Sequence, residues 1–196
     1  MAATSFLHET LAYAGQARSF TSTDIRTYAA WIGLMLGLLG SVSGFLFVGH
    51  QAGVSYPAYV WNIPLGTAIF VAAIAFDTIG HLTTYKEELA KGEALVHQIT
   101  ITAGVSSVVV LCLAYSAPDF LRIPALVLTL LSVMYSVIDE ALHWRRYLSL
   151  KCDRVESFSH FFIFVGHGIM MLAWWTWFDA GYPGVRETLV ALRRLV

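Results

Sequence analysis

Four times in this 196-residue chain a carboxylate is followed, four positions later, by a histidine. The copies are Asp77 with His81, Glu93 with His97, Asp139 with His143, and Glu156 with His160. With 13 acids and 7 histidines in the chain, random placement would give about one such pair. Residues four apart share one face of a helix and differ by about 6 Å in height. Each copy therefore offers an oxygen donor and a nitrogen donor to the same neighbour. Such mixed donors suit iron, zinc or manganese better than calcium or magnesium, which take oxygen alone.

The copies are ordered as a repeat. Eleven residues separate His81 from Glu93, and twelve separate His143 from Glu156. Asp closes a descending helix each time, and Glu opens the next, ascending one. This spacing predicts a duplicated two-helix unit, whose pseudo-twofold axis would run along the membrane normal. It also predicts two layers of donors. Asp77, His97, Asp139 and His160 form the deeper layer, and His81, Glu93, His143 and Glu156 the shallower one. If all four helices turn these faces inward, they enclose a cage for two metal ions, with iron favoured and zinc or manganese as alternatives. In logic the cage parallels the soluble di-iron carboxylate bundles, although those use Glu-x-x-His.

The elements that must hold these donors are membrane helices. The chain is 57% hydrophobic and only 13% charged, with mean hydropathy +0.65, against about 25% charge in a soluble domain. Residues 27–76 and 94–118 carry no Asp, Glu, Lys or Arg. Apolar runs of about 18 or more residues read as spanning helices. The expected fold is an all-α integral membrane protein with five transmembrane helices at 28–48, 57–85, 93–116, 118–147 and 155–178. Helices two to five form a pseudo-twofold four-helix bundle. Residues 1–27 read as a polar or interfacial lead-in, lacking the apolar core and cleavage site of a signal peptide. Residues 184–196 read as an amphipathic tail that could lie flat on the membrane surface.

Five spans put the two termini on opposite sides. Eight basic residues fall on the N-terminal side (Arg18, Arg26, Lys86, Lys91, Arg145, Arg146, Lys151 and Arg154). Four fall on the other (Arg122, Arg186, Arg193 and Arg194). This bias predicts a cytoplasmic (inner) membrane protein with its N-terminus in the cytoplasm. Trp174, Trp175 and Trp177 would then form an aromatic belt at the far interface. Gly33, Gly37, Gly40 and Gly44 line one face of span one and predict close helix packing, within this chain or in an oligomer. Pro64 lies one or two turns inside span two, where it would kink the helix. Cys112 reads as core packing and Cys152 as a free thiol, too far apart for a disulfide.

Two of the acids have an innocent alternative, because Glu93 and Glu156 sit at helix starts, where the dipole favours a carboxylate. Asp77 and Asp139 sit toward helix ends, where the dipole opposes them. An unpaired charge at such depth costs at least about 2.5–3.5 kcal/mol. No lysine or arginine stands at matching depth, which leaves histidines or metals to compensate. Glu140 points about 100° from Asp139 around the helix, toward the surface, toward the outside of the cage, or toward Arg145 or Arg146. His167 shares a face with His160 and lies deeper, as a further ligand, a proton donor or a core histidine.

No basic tract fits nucleic acid, and no strained nucleophile motif surrounds Ser157 or Ser159. The expected function is a dimetal, di-iron-type oxidoreductase that hydroxylates, desaturates or otherwise oxidises a lipophilic small-molecule substrate entering from the membrane lipid. Electrons would come from an external donor, since no flavin or nicotinamide motif is present. The alternatives are a zinc-dependent lipid hydrolase, a metal or proton transporter, and a b-type cytochrome.

Overall fold

The computed structural model of the protein describes the backbone at residues 5–84, 91–150 and 154–194, and the side chains of these except at 91–94, 146, 149 and 150. Seven α-helices follow in order among the described residues: α1 Phe6–Gly15, α2 Ser22–Gln51, α3 Asn62–Leu82, α4 Lys91–Leu113, α5 Pro118–Leu150, α6 Arg154–Asp179 and α7 Val185–Arg193. No strand occurs among the described residues. Five helical segments are long and apolar enough to cross a membrane: Ser22–Gln51, Ala58–Leu82, Leu95–Leu113, Pro118–Arg145 and Arg154–Asp179. Only 17% of the most apolar window is buried in α2 and in α5. An apolar surface of that extent is a liability in water and an ordinary solvent boundary in lipid.

The helices start and stop for local reasons. Thr21 caps α2 in a capping box with Asp24, which starts the first span at Ser22 rather than at residue 28. A 3-10 turn at Ala58–Trp61 leads into α3. Pro64 is the third residue of that helix and not one or two turns inside it. Its missing amide costs little there, because first-turn donors have no partner within the helix.

The strongest packing joins α3 to α6 and α4 to α5, with lesser contacts between α2 and α3 and between α5 and α6. The α3–α6 seam is tight because Gly66 faces Gly166. A Cβ on Gly66 would lie 2.5 Å from the Met170 nitrogen, and one on Gly166 would lie 2.6 Å from the Phe70 nitrogen. The glycine face expected to pack is a different one. Gly33, Gly37, Gly40 and Gly44 meet nothing within 4 Å, so packing within this chain does not explain them.

A short helix packs at each end of the bundle. At the N-terminal end the expected polar lead-in is a packed helix. Tyr13 of α1 is buried with Ile79 and Val155, and Arg154 holds Glu9 through two bonds of 2.9 and 2.5 Å. Gln16 accepts hydrogen bonds from Thr83 and Thr84. At the far end Trp174 and Trp177 are buried in the main core with Leu46, Leu111 and Phe178, so they do not form the expected interfacial belt. The turn after α6 covers them. Tyr182 (φ 54°) donates to the Leu111 carbonyl at 2.5 Å, and Trp177 donates to Pro183 at 3.0 Å. The tail helix α7 packs against α2, with Thr188 bonded to Tyr56 over Gly49. Cys112 is exposed on α4 and not in the core. Cys152 lies outside the described residues.

Candidate metal centre

The acid–histidine pairs converge at the end of the bundle that α1 covers. Asp77 and His81 come from the last turns of α3, His97 from the second turn of α4, and Asp139 and His143 from the C-terminal half of α5. Glu156 and His160 come from the first turns of α6. The side chain of Glu93 lies outside the described residues.

Asp77 Oδ1 is 2.8 Å from His160 Nε2 across the α3–α6 seam, and its Oδ2 is 3.4 Å from His81 Nε2 on its own helix. Asp139 repeats this arrangement. Its Oδ2 is 3.1 Å from His97 Nδ1 across the α4–α5 seam, and its Oδ1 is 3.7 Å from His143 Nε2 on its own helix. His143 Nδ1 also lies 3.4 Å from Glu156 Oε1. Three of these five separations (3.1, 3.4 and 3.4 Å) match the spacing of neighbouring ligands around one ion, and the other two (2.8 and 3.7 Å) fall just outside it. Bonds of about 2.0–2.2 Å place such ligands about 3.0–3.6 Å apart.

Burial sharpens the point. Asp77 and Asp139 are 4% and 5% exposed, and their described ion-pair partners are all histidines. Asp77 Oδ1, His81 Nε2, Asp139 Oδ1 and His160 Nε2 are buried, yet none has a partner in hydrogen-bond alignment among the described residues. The contacts of Asp77 approach without that alignment, as donors aimed at a common point do, whereas His97 Nδ1 and Asp139 Oδ2 are aligned as a hydrogen bond at 3.1 Å. A direct pair would orient an N–H at an oxygen.

The rings crowd together. His143 stacks on His160 with centroids 3.4 Å apart, and His81 lies 5.1 Å from His97. Donor atoms of His81, His143 and His160 fall within 4.8 Å of one another, as do those of Asp77, His81 and His97. These groups cut across the two expected layers, because an imidazole spans much of the 6 Å between residues one turn apart. His97 stands at the rim, with 29% of its side chain exposed.

Glu140 belongs to the neighbourhood. Its Oε2 lies 3.9 Å from His160 Nδ1, and its side chain is 22% exposed. The 100° rotation that directs its Cβ away from Asp139 does not limit a side chain with three rotatable bonds. His167 lies two turns deeper on α6, buried, with Nε2 lacking a described partner and its ring 5.9 Å from Phe70. It falls in neither group of clustered donors. The α3–α6 glycines also matter here, since they set the separation that brings Asp77 to His160. Their sequence signal is weak, one glycine in each of two distant helices.

Comparison with protein-family models, with curated proteins and with solved structures finds no match to this chain.

Proposed function

We propose that the protein is a membrane-embedded oxidoreductase in which eight donors on four helices hold two metal ions, iron foremost. In this reading Asp77 anchors one ion and Asp139 the other, and His81, His97, His143 and His160 are divided between them. Glu156 and Glu93 complete the two sets. The observation that carries the reading is the matched pair of Asp–His contacts, His160 with Asp77, which is buried, and His97 with Asp139, which is half-buried. Each spans a tightly packed helix seam.

The same contacts support a pseudo-twofold bundle. Mapping α3 onto α5 and α4 onto α6 exchanges the two strongest helix pairs. It also exchanges the two Asp–His contacts. The orientation goes with this proposal: N-terminus cytoplasmic, in the inner membrane, with the centre toward the cytoplasmic side.

Bound iron would supply oxygen chemistry, while the chain supplies the donors, the apolar surroundings and the exclusion of water. The α1 helix packs over the α3–α6 side of the cluster, and Glu140 beside His160 can take or return a proton at the His160 Nδ1 side. A lipophilic substrate would arrive through the membrane, and an external donor would supply electrons. Haem is disfavoured for His143 and His160, because a 3.4 Å stack leaves no room for a porphyrin between them.

The test is an absorption spectrum of purified protein together with reductant-dependent oxygen uptake in the presence of membrane lipid. Iron absorption with uptake that disappears in His160→Ala supports the oxidoreductase. A colourless zinc protein without uptake contradicts it and favours a hydrolase.

A further inference from the structure

The four histidines of the candidate centre differ in what stands behind their rings. The side chains of His143 and His160 are each 4% exposed, whereas those of His81 and His97 are 15% and 29% exposed. Both buried rings have a carboxylate at each nitrogen. His143 has Asp139 at Nε2 and Glu156 Oε1 at Nδ1, 3.4 Å away. His160 has Asp77 at Nε2 and Glu140 Oε2 at Nδ1, 3.9 Å away. His81 and His97 have an Asp at one nitrogen and, among the described residues, no glutamate at the other.

An imidazole that gives one nitrogen to a metal keeps an N–H on the other, and that N–H needs an acceptor. A partly exposed ring finds one outside the protein, but a ring buried in an apolar bundle does not. For His160, Glu140 supplies the only acceptor near Nδ1 among the described residues. The 3.9 Å gap exceeds a direct hydrogen bond by about 1 Å, which rotation about the Glu140 side-chain torsions spans. Trp144, one turn further along α5, hydrogen bonds the same carboxylate. The other half of the bundle has no counterpart. Under the pseudo-twofold mapping proposed above, Thr78 takes the place of Glu140, and its hydroxyl donates to the Ile74 carbonyl at 2.7 Å.

We infer that Glu140, tethered by Trp144, is a positioning residue: it accepts the His160 Nδ1–H and so turns the Nε2 lone pair onto a metal ion. This rests on the metal-centre reading above and adds to its eight donors a carboxylate that orients one of them without touching the ion.

The test measures the zinc affinity of full-length protein in detergent micelles, stripped of metal and titrated against a competing chromophoric chelator. Glu140→Leu removes the acceptor and should weaken zinc binding by about 10–100-fold, the usual cost of losing the partner behind a metal-bound histidine. Glu140→Gln keeps an acceptor oxygen and should recover most of that loss. All three proteins should melt at the same temperature without metal, because the Glu140 side chain is 22% exposed at the edge of the cluster. Equal loss in both variants makes Glu140 a direct ligand, since a neutral amide binds a cation poorly, and overturns the assignment. A metal-free melting temperature that falls in step with the affinity overturns it too. Wild type that takes up neither zinc nor iron overturns the metal centre itself, whereas tight uptake unaffected by Glu140→Leu overturns the positioning role alone.

Discussion

Asp77 and Asp139 each touch two histidines, one on their own helix and one across a seam. A buried carboxylate with only imidazoles around it is compensated either by protonated rings or by a cation between them. The two cases respond differently to substitution. If a metal is held, Asp77→Asn and Asp139→Asn should each reduce metal content, because a neutral amide is a poor ligand for a cation. If only ion pairs are present, the same changes should alter stability and nothing else. Thermal melting in the presence and absence of a chelator separates these cases. Bound metal should raise the melting temperature of the wild type and leave that of the double variant unchanged. His167 stands outside the cluster, so His167→Phe should leave metal content intact while lowering any turnover that depends on a proton from that side. Equal loss of metal in His167→Phe would make it a ligand instead.

At the scale of elements, the seam between α3 and α6 sets the geometry of the centre. Gly66→Ala or Gly166→Ala would force backbone atoms 2.5–2.8 Å away to move. Such overpacking costs about 1–3 kcal/mol and would separate Asp77 from His160. Both variants should melt earlier and bind metal less well. Gly37→Ala and Gly40→Ala, in open space, should change neither property in the isolated chain. The far end has its own test. Burial raises the Tyr182 phenol above its ordinary value, so the folded state keeps that proton more tightly than the unfolded chain does. Its contribution is complete below about pH 10 and lost as pH rises further. Tyr182→Phe should cost about 1 kcal/mol at neutral pH and flatten the fall in melting temperature above pH 10.

For the whole molecule, the sequence made some features plain and hid others. The five spans were legible because apolar length is itself the signal, and the acid–histidine copies because their spacing matches a helical turn. Which helix packs on which was not legible. That depends on single glycines, Gly66 and Gly166, that carry no periodicity of their own. The glycine stripe in α2 does carry one, yet it faces outward. The buried Trp174 and Trp177 were misread because tryptophan suits either an interface or a core, and only the turn at Tyr182 and the α7 cover decide between them. Of the three placements that the sequence leaves open for Glu140, the structure shows the one beside the cluster, near His160; the sequence does not choose, because Cβ direction is a poor guide to where a long side chain ends. The proposed orientation is testable at this scale. A reporter active only outside the cytoplasm should work when fused after Arg194 and fail when inserted in the 86–92 loop, whereas the reverse pattern would invert the topology.

The central claim is that two metal ions sit among donors shared by four helices, and it is tested most directly by elemental analysis of the purified full-length protein. Two iron atoms per chain are predicted for the wild type, with both sets depleted in Asp77→Ala and in Asp139→Ala because the two halves share one crowded cluster. Fewer than one metal per chain in the wild type, or a content unchanged by both substitutions, would contradict it.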